Sequence, residues 1–223
     1  MRLFADANID DLDVISEYNN DDKRIIENNI KELSMDRDNY FYLPGKILHI
    51  DGDQEYLDRC MNFYKNLGIK ANGIAILESE IPSKITSLLK EYHPDIVVIT
   101  GHDAYFSKKN NKDDVSNYEN SKYFISSIKE ARKYEHNQDK LIIIAGACQS
   151  NYESLIKAGA NFASSPKRIN IHALDPAIVA SSLAFSDRNQ SIDLLKIIDK
   201  TKYGCEGIGG LITNGTMYVG YPR

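Results

Sequence analysis

The chain has 223 residues, of which 42% are hydrophobic and 26% are charged, which is ordinary for one globular domain with a substantial core and an appendage. Its formal net charge of -5 at pH 7 and the lack of any Lys/Arg-rich block disfavour nucleic-acid binding. No apolar run approaches the roughly 18 residues of a membrane span, and the N-terminus lacks a signal-peptide pattern, so we expect an intracellular protein with neither nucleic acid nor membrane as a partner.

The first part of the chain, residues 1–43, is acidic and rich in Asn and Asp. The cluster Tyr18-Asn19-Asn20-Asp21-Asp22 is prone to turns. We interpret residues 1–43 as an arm or linker. The pair Pro44-Gly45 then predicts the start of the main domain, residues 44–223.

From Pro44 onward, strand patterns alternate with helical patterns. Predicted strands cover residues 46–50, 69–77, 95–101, 140–147 and 161–166, and predicted helices cover residues 54–67, 79–92, 121–134, 151–158 and 175–183. The continuous Ile/Val/Leu runs among the strands are typical of a parallel sheet that is covered on both faces. Repeated strand–helix units imply right-handed crossovers, and therefore an α/β fold: a three-layer α/β/α sandwich with a mainly parallel sheet.

The C-terminal tail carries Thr213-Asn214-Gly215-Thr216 between two β-prone runs. An Asn-Gly pair in such a position is a strong signal for a tight turn between paired strands. We therefore predict a C-terminal β-hairpin.

Two of the predicted strands have the same pattern, an apolar run that ends in small residues, and one reactive side chain follows each of them. His102 follows the run at 95–101, and Cys148 follows the run at 140–147. Parallel sheets place their chemistry just beyond the carboxyl ends of the strands. If the two strands are neighbours, an imidazole and a thiol emerge side by side, which is the layout of a cysteine nucleophile with its base. The helix that begins after Cys148 should lower the pKa of the thiol.

Each of these two residues also has a simpler interpretation. A free cysteine is most often a small buried core residue, and a lone histidine after a strand is most often a surface residue of a loop. The occurrence of both residues on matched strands favours the functional interpretation.

Polar residues near the same edge of the predicted sheet are candidates for substrate binding, namely Asp51, Asp53, Ser164 and Asp175. The acids could form a pocket that pairs with a basic side chain, ideally with the bidentate guanidinium of Arg. Asp53 could equally cap the following helix, and Asp51-Gly52-Asp53 could equally be a simple turn. The sequence alone leaves these alternatives open.

No metal or other cofactor is expected. The three cysteines, Cys60, Cys148 and Cys205, form neither a disulfide framework nor a CxxC motif. No set of His, Cys, Asp and Glu has the spacing of zinc ligands, and no Gly-rich phosphate loop follows the first strand. The chemistry is therefore expected to come from side chains of the chain itself.

Six segments together resemble the YabG family of sporulation-specific peptidases of spore-forming Firmicutes. They are residues 48–53 (LHIDGD), 100–105 (TGHDAY), 120–124 (NSKYF), 146–150 (GACQS), 158–168 (AGANFASSPKR) and 172–176 (HALDP). The resemblance implies a cysteine endopeptidase that trims spore-coat proteins and germination-protein precursors, with a preference for cutting after Arg. The family's His and Cys fall on His102 and Cys148. The resemblance also implies a location in the cytoplasm of the sporulating cell and in the spore.

The chain is more distantly similar to the caspase-like (clan CD) peptidases, which implies a caspase-like or flavodoxin-like topology for residues 44–223. Those enzymes also place a His and a Cys after consecutive apolar strands. They usually have Gly directly after the His, where its backbone N–H helps to form the oxyanion hole, whereas Asp103 follows His102 here. Several Arg-specific relatives have an acid two residues before the Cys, where this chain has Gly146. The second oxyanion donor and the acid of the binding pocket are therefore unassigned.

The sequence thus predicts an endopeptidase with a Cys148–His102 dyad that acts on protein substrates. Members of the YabG family begin with a small β-rich segment that this sequence lacks, so self-processing is a further expectation. The alternative is a receiver-like or flavodoxin-like regulatory or binding module without catalysis. A receiver-like domain needs Asp at the end of its third strand, where this chain has Thr100-Gly101-His102. The sequence leaves the oligomeric state open.

Overall fold

The computed structural model describes residues 21–25, 27–28, 41–106 and 111–220. The chain divides into two units, Met1–Asp36 and Arg37–Arg223. In the first unit, residues 21–25 and 27–28 are helical. Most of the predicted arm lies outside the described residues, and its boundary with the main domain stays a prediction.

The second unit alternates strands and helices, as predicted. Its strands are β1 (Phe41–Leu43), β2 (Ile47–Asp51), β3 (Ala71–Ala75), β4 (Ile96–Thr100), β5 (Ile142–Ala145), β6 (Phe162–Ser164), β7 (Ile208–Gly210) and β8 (Tyr218–Gly220). Its helices are α1 (Gln54–Asn66), α2 (Ile81–Tyr92), α3 (Ser121–Tyr134), α4 (Tyr152–Ala158), α5 (Asp175–Ala184), α6 (Leu194–Ile198) and α7 (Gly204–Gly207), and a 3-10 turn covers Val115–Asn117. In the part of the chain that the structure describes, no helix combines the length and the apolar content that crossing a bilayer requires.

A six-stranded sheet organises this unit, with the strand order β3-β2-β4-β5-β6-β7. The strands β3, β2, β4, β5 and β6 pair in parallel, and β7 joins the edge antiparallel to β6. The five parallel strands have the order of a flavodoxin-like sheet, in which ligands bind beyond the carboxyl ends of the strands where the strand order reverses. That reversal lies between β2 and β4.

Helices cover both faces of this sheet. On one face, α2, α3 and α4 pack over a buried apolar cluster to which β2, β4 and β5 contribute alternate residues: Leu48, Ile50, Val97, Ile99, Ile143 and Ala145. On the other face, α1 contacts β2 and β3, and α5 contacts β4 and β5. The predicted three-layer α/β/α sandwich with a mainly parallel sheet is therefore confirmed. Burial of both faces explains why the central strands are apolar at almost every position.

The C-terminal strands are antiparallel, but their partners differ from those of the predicted hairpin. β7 pairs with β6 in the main sheet, whereas β8 pairs with β1 in a separate two-stranded sheet. Asn214 and Gly215 lack the positive φ angles that a two-residue Asn-Gly hairpin turn requires. Glycine is needed at position 215 for another reason, since a Cβ there would lie 2.1 Å from the carbonyl oxygen of Ser186.

Candidate active site

The carboxyl ends of β4 and β5 bring the two predicted reactive side chains to one edge of the sheet. Ile99 of β4 pairs with Ala145 of β5, and His102 and Cys148 each follow three residues later. Because neighbouring strands lie about 4.8 Å apart, the two loops leave the sheet side by side and at the same level. The two strands are neighbours, which is the condition under which the sequence placed the imidazole and the thiol side by side.

His102 lies at the reversal of strand order, between acidic neighbours. Its side chain is 57% exposed, and its Nε2 lies 3.6 Å from Oδ2 of Asp53. Its Nδ1 lies 3.8 Å from Oε1 of Glu78. The ring of Tyr56 stacks on the imidazole, with 5.7 Å between the ring centroids. Each ring nitrogen of His102 therefore has a carboxylate within 4 Å.

Glu78, which the sequence reasoning missed, also fixes the backbone of the histidine. Its Oε1 accepts a hydrogen bond of 2.7 Å from the backbone N–H of His102. A Cβ at Gly52 would lie 2.2 Å from this oxygen, and a Cβ at Gly101 would lie 2.3 Å from it. These two glycines therefore leave the space that the carboxylate occupies. Glu78 follows the carboxyl end of β3, so the strand-end rule that indicated the other candidates could have found it.

The thiol of Cys148 is partly buried, and it donates a hydrogen bond to the carbonyl oxygen of Ile171 with an S···O distance of 3.8 Å. Burial raises the pKa of the Cys148 thiol, and the charges of Asp175 and Asp103 raise it further. The prediction that the following helix lowers this pKa is therefore wrong. That helix, α4, has only 7 residues, and the side chain of Asn151 already accepts a hydrogen bond at its N-terminus.

The thiol and the imidazole do not hydrogen-bond to each other in the described structure, since Cys148 faces Ile171 and His102 faces its two carboxylates. In enzymes without substrate, catalytic hydrogen bonds are often long and tighten only in the substrate complex. The site thus holds an exposed imidazole and a partly buried thiol on adjacent loops, and proton transfer between them would require a closer approach.

Asp51, a predicted binding residue, is buried and turned into the protein. Its Oδ2 accepts a hydrogen bond of 2.6 Å from the Thr100 hydroxyl, and its Oδ1 accepts one of 2.8 Å from the backbone N–H of Asp53. Below it, Nε2 of His49 lies 3.0 Å from Oγ1 of Thr100, and Nδ1 of His49 lies 2.9 Å from the hydroxyl of Tyr64. Asp51 therefore belongs to a buried hydrogen-bond network with Thr100, His49 and Tyr64, which lies beneath the strand ends of the site.

Asp53 and Ser164 occupy contrasting positions. The side chain of Asp53 is 32% exposed. Its Oδ1 accepts from the first amides of α1, so the predicted capping role is present, while its Oδ2 faces His102. Ser164 is fully buried, and its hydroxyl donates to the carbonyl oxygen of Gly146 at 3.3 Å. Asp53 is thus the candidate acid that solvent reaches, whereas Ser164 holds the strand end beside Cys148.

Asp175 is buried in the first turn of α5. Its two carboxylate oxygens accept hydrogen bonds from the backbone amides of His172, at 3.0 Å, and of Lys202, at 2.9 Å. Burial nevertheless raises the pKa of Asp175 to about 6. Its charge reaches the thiol of Cys148, because Asp175 is one of the groups that raise the pKa of that thiol.

Two backbone amides beside the candidate dyad have no acceptor on another residue of the described chain, those of Cys148 and Asp103. The neighbouring amides are engaged, since that of His102 donates to Glu78 and that of Ala147 donates to Ser150. Available N–H groups beside a nucleophile are the requirement for an oxyanion hole.

No disulfide joins the three cysteines, which all lie in the described part of the chain; Cys60 is buried and Cys205 is exposed. Within residues 21–25, 27–28, 41–106 and 111–220, no group of three or more His, Cys, Asp and Glu side chains is arranged to hold a metal ion. The described site is therefore built from a thiol, an imidazole, carboxylates and backbone amides.

Comparison with known proteins gives one family. The family model described as YabG peptidase U57 matches residues 1–222. The chain is also similar to the sporulation-specific protease YabG of Bacillus subtilis (strain 168), with 46% identity over 186 residues, which cover 83% of this chain and 64% of the relative. The chain therefore spans a little under two thirds of the length of that curated relative. Since the family model matches almost the whole sequence, the chain belongs to the YabG peptidase family, U57.

Proposed function

We propose that the chain is a cysteine endopeptidase in which Cys148 is the nucleophile and His102 is the general base. The observation that carries the proposal is the shared register of the two strands, because it places both loops at one level of the sheet edge. Membership of the YabG peptidase family supports peptide hydrolysis. The Bacillus subtilis relative is itself named a sporulation-specific protease.

The proposed reaction proceeds through a thioester. His102 takes the proton of the Cys148 thiol, and the sulfur attacks the carbonyl carbon of the scissile peptide bond. The oxyanion that forms accepts hydrogen bonds from the backbone amides of Cys148 and Asp103. The carbon–nitrogen bond breaks as His102 protonates the leaving amine. Water, deprotonated by His102, then attacks the thioester and releases the carboxylic acid and the free thiol.

The raised pKa of the Cys148 thiol gives His102 a defined task. A thiol that is protonated near neutral pH needs a base within reach when the carbonyl is attacked. The carboxylates of Asp53 and Glu78 stabilise the imidazolium that this transfer produces. The proposed mechanism therefore uses general-base activation rather than a thiolate formed in advance.

We further propose cleavage after Arg, with Asp53 as the acid that receives the guanidinium. Asp53 is the partly exposed member of the predicted binding set, and its Oδ2 lies beside the catalytic imidazole. A carboxylate with a free lone pair binds Arg through charge-assisted hydrogen bonds. The other three members of the predicted binding set are buried, namely Asp51, Ser164 and Asp175. We propose that they support the pocket without contacting the substrate.

The proposed substrates are proteins of the developing spore, namely spore-coat proteins and germination-protein precursors. Self-processing within the N-terminal region is part of the same proposal. The proposed places of action are the cytoplasm of the sporulating cell and the spore. The support for this setting is the sporulation-specific name of the relative.

The alternative, a receiver-like or flavodoxin-like module without catalysis, has less support. Its strongest feature was the acidic end of the first strand of the main sheet, β2. In the structure, Asp51 is buried beneath Thr100, and Asp53 caps α1. The end of β2 therefore lacks the accessible strand-end carboxylate of a phosphoacceptor site, since Asp51 is buried and Asp53 lies beyond the strand.

A peptide library with Arg, Lys or Ala before the scissile bond tests this proposal. We expect wild-type protein to cleave after Arg, and Cys148→Ala and His102→Ala to lose activity by about 10³-fold or more. Cys205→Ala, which removes an exposed thiol, is the matched control and should keep wild-type activity. Asp53→Asn should reduce the preference for Arg over Ala, whereas loss of that preference in Asp51→Asn alone would reassign the pocket.

Cleavage by Cys148→Ala at the wild-type rate would refute the mechanism. Cleavage that depends on Cys148 but shows no preference for Arg would refute only the specificity. The absence of any Cys148-dependent cleavage across the library would favour the noncatalytic alternative, a binding module.

A further inference from the structure

We propose that Asp103 is a positioning residue that ties the loop carrying His102 to the loop carrying Cys148. This inference rests on the proposed peptidase function. It assigns a role to the side chain that follows the candidate catalytic histidine. The supporting observations are the burial of this carboxylate and the identity of its hydrogen-bond donors.

The carboxylate of Asp103 is buried and accepts four hydrogen bonds. Its Oδ1 accepts from the backbone amides of Ala104 at 2.9 Å and of Asn120 at 2.8 Å. Its Oδ2 accepts from the hydroxyls of Ser121 at 2.5 Å and of Ser150 at 2.9 Å. These donors come from the histidine loop, from the start of α3 and from the cysteine loop, so one carboxylate joins three segments.

The hydroxyls of Ser121 and Ser150 connect the carboxylate of Asp103 to the backbone around Cys148. Each hydroxyl has one hydrogen, which it donates to Asp103, so its lone pairs are free to accept. The hydroxyl of Ser150 accepts from the amide of Ala147 at 2.9 Å, and that of Ser121 accepts from the amide of Asn151 at 2.9 Å. The peptide units on both sides of Cys148 are therefore oriented by the same carboxylate.

Two further hydrogen bonds hold the same loops together. The amide of Tyr105 donates to the side-chain oxygen of Gln149 at 3.2 Å. The side-chain amide of Asn120 donates to the carbonyl oxygen of His102 at 2.9 Å. The contacts of Asp103 are the buried and charge-assisted part of this set, and such hydrogen bonds are stronger than neutral ones.

All four hydrogen bonds are donated to Asp103, so both of its carboxylate oxygens must act as acceptors. In Asp103→Asn, one oxygen becomes an NH₂ group, which donates and cannot accept from the two serine hydroxyls. The two hydroxyl hydrogens would then lose their buried acceptor, and the hydroxyls would have to rotate, which disturbs the oxygens that accept from the amides around Cys148. A nearly isosteric substitution thus breaks the network while preserving the volume of the side chain.

The charge of Asp103 has a separate effect that makes its positional role testable. After burial and the charge of Asp175, the charge of Asp103 raises the pKa of the Cys148 thiol. Neutralising Asp103 should therefore lower that pKa and make the thiol easier to alkylate at neutral pH. If Asp103 positions the loops, the same change should lower turnover, so the two readouts should move in opposite directions.

The experiment compares Asp103→Asn and Ser150→Ala with wild type, with Cys148→Ala as the inactive reference and Asp113→Asn as the matched control on an exposed carboxylate. For a peptide with Arg before the scissile bond, we expect kcat to fall about 10²-fold in Asp103→Asn and about tenfold in Ser150→Ala, since small misplacements of catalytic groups have effects of this size. KM should stay within about twofold. Iodoacetamide should modify Cys148 at a lower pH in Asp103→Asn than in wild type.

A folded Asp103→Asn variant with the wild-type kcat would overturn the positional role. If Asp103→Asn does not fold, a wild-type kcat in Ser150→Ala would overturn it. Neither result would contradict the proposed peptidase function. A fall in kcat that comes with loss of cooperative urea unfolding in both variants would also overturn the positional role, because general loss of structure would then explain the result. Full cleavage by Cys148→Ala would instead refute the underlying function, whatever the Asp103 variants show.

Discussion

At the scale of single residues, the site combines an exposed imidazole with a partly buried thiol. His102 lies between Asp53 and Glu78, and Cys148 donates its proton toward Ile171. Carboxylates flank the imidazole, and the charges of Asp175 and Asp103 disfavour a thiolate at Cys148. In the proposed mechanism, proton transfer between the two groups therefore takes place on substrate binding and not before it.

The pH dependence of Cys148 alkylation should report this arrangement. Burial, Asp175 and Asp103 raise the pKa of the thiol, so the rate of reaction with iodoacetamide should keep rising above the pH at which a free cysteine is half ionised, about 8.5. Mass spectrometry of modified peptides, with exposed Cys205 as the internal reference, measures this profile. A rate for Cys148 that already levels off below pH 7 would show a thiolate formed in advance and would contradict the prediction.

Glu78→Gln tests the acidic setting of the imidazole. The substitution can keep the acceptor for the backbone N–H of His102, but it removes the charge beside Nδ1. A partly exposed ion pair is worth about 0.2–1 kcal/mol, so kcat/KM should fall by up to about fivefold. Steady-state kinetics against Glu80→Gln, an exposed acid that pairs with Lys84, provides the control. Equal kinetics for the two variants would remove Glu78 from the mechanism.

Strand-end position is a local property, and it indicated His102, Cys148 and Asp53 from the sequence. Glu78 could have been found by the same rule, because it also follows a strand end. The inward orientation of Asp51 could not be predicted, since it depends on the hydroxyl of Thr100, 49 residues further along the chain. The depth of burial of Cys148 likewise depends on distant residues, which is why the direction of its pKa shift was predicted wrongly.

At the scale of elements, local signals located helices well and strand partners less well. α3 spans Ser121–Tyr134, as predicted, and α4 ends at Gly159, whose φ of 113° is accessible to glycine. The tail shows the limit of such signals. The Asn-Gly pair lies between the last two strands, but these strands pair with β6 and β1, which lie far away in sequence.

Gly215→Ala should reveal the close approach of the backbone at Gly215 to Ser186. A Cβ at position 215 would lie 2.1 Å from a backbone oxygen of Ser186, so the segment must shift, which costs about 1–3 kcal/mol in a well-packed structure. Gly68→Ala is the control, because that site has a φ of 70° but no atom within 4 Å, and strain alone costs about 1–2 kcal/mol. Chemical denaturation measures both variants. A smaller loss of stability for Gly215→Ala than for Gly68→Ala would argue against the close packing.

At the scale of the whole molecule, one sheet edge collects residues from distant parts of the chain. The alternation of apolar runs with helical patterns predicted the three layers, because parallel strands need crossover helices on both faces. The reversal of strand order between β2 and β4 then places Asp53 and His102 together. The separate sheet formed by β1 and β8 was not predictable from periodicity, since each of its strands has only 3 residues.

The buried carboxylate of Asp175 should make the stability of the molecule depend on pH. Its pKa is about 6 in the folded chain, against 3.8 for an unperturbed aspartate, so the folded state holds this proton more tightly than the unfolded state. The protonated group favours folding fully below about pH 4, and that contribution is lost as the pH rises through 6, by at most about 3 kcal/mol. Urea unfolding from pH 4 to pH 7 should show the stability of wild type falling relative to Asp175→Asn. A difference between the two proteins that does not change with pH would contradict the prediction.

Covalent capture tests the Cys148–His102 dyad most directly. A peptidyl acyloxymethyl ketone that ends in Arg reacts with an activated thiol held in a substrate-binding site, and peptide mapping by mass spectrometry locates the adduct. We predict one adduct, on Cys148, which is absent in Cys148→Ala, forms at least about tenfold more slowly in His102→Ala, and is unchanged in Cys205→Ala. An adduct that persists in Cys148→Ala, or labelling that is indifferent to His102, would contradict the account.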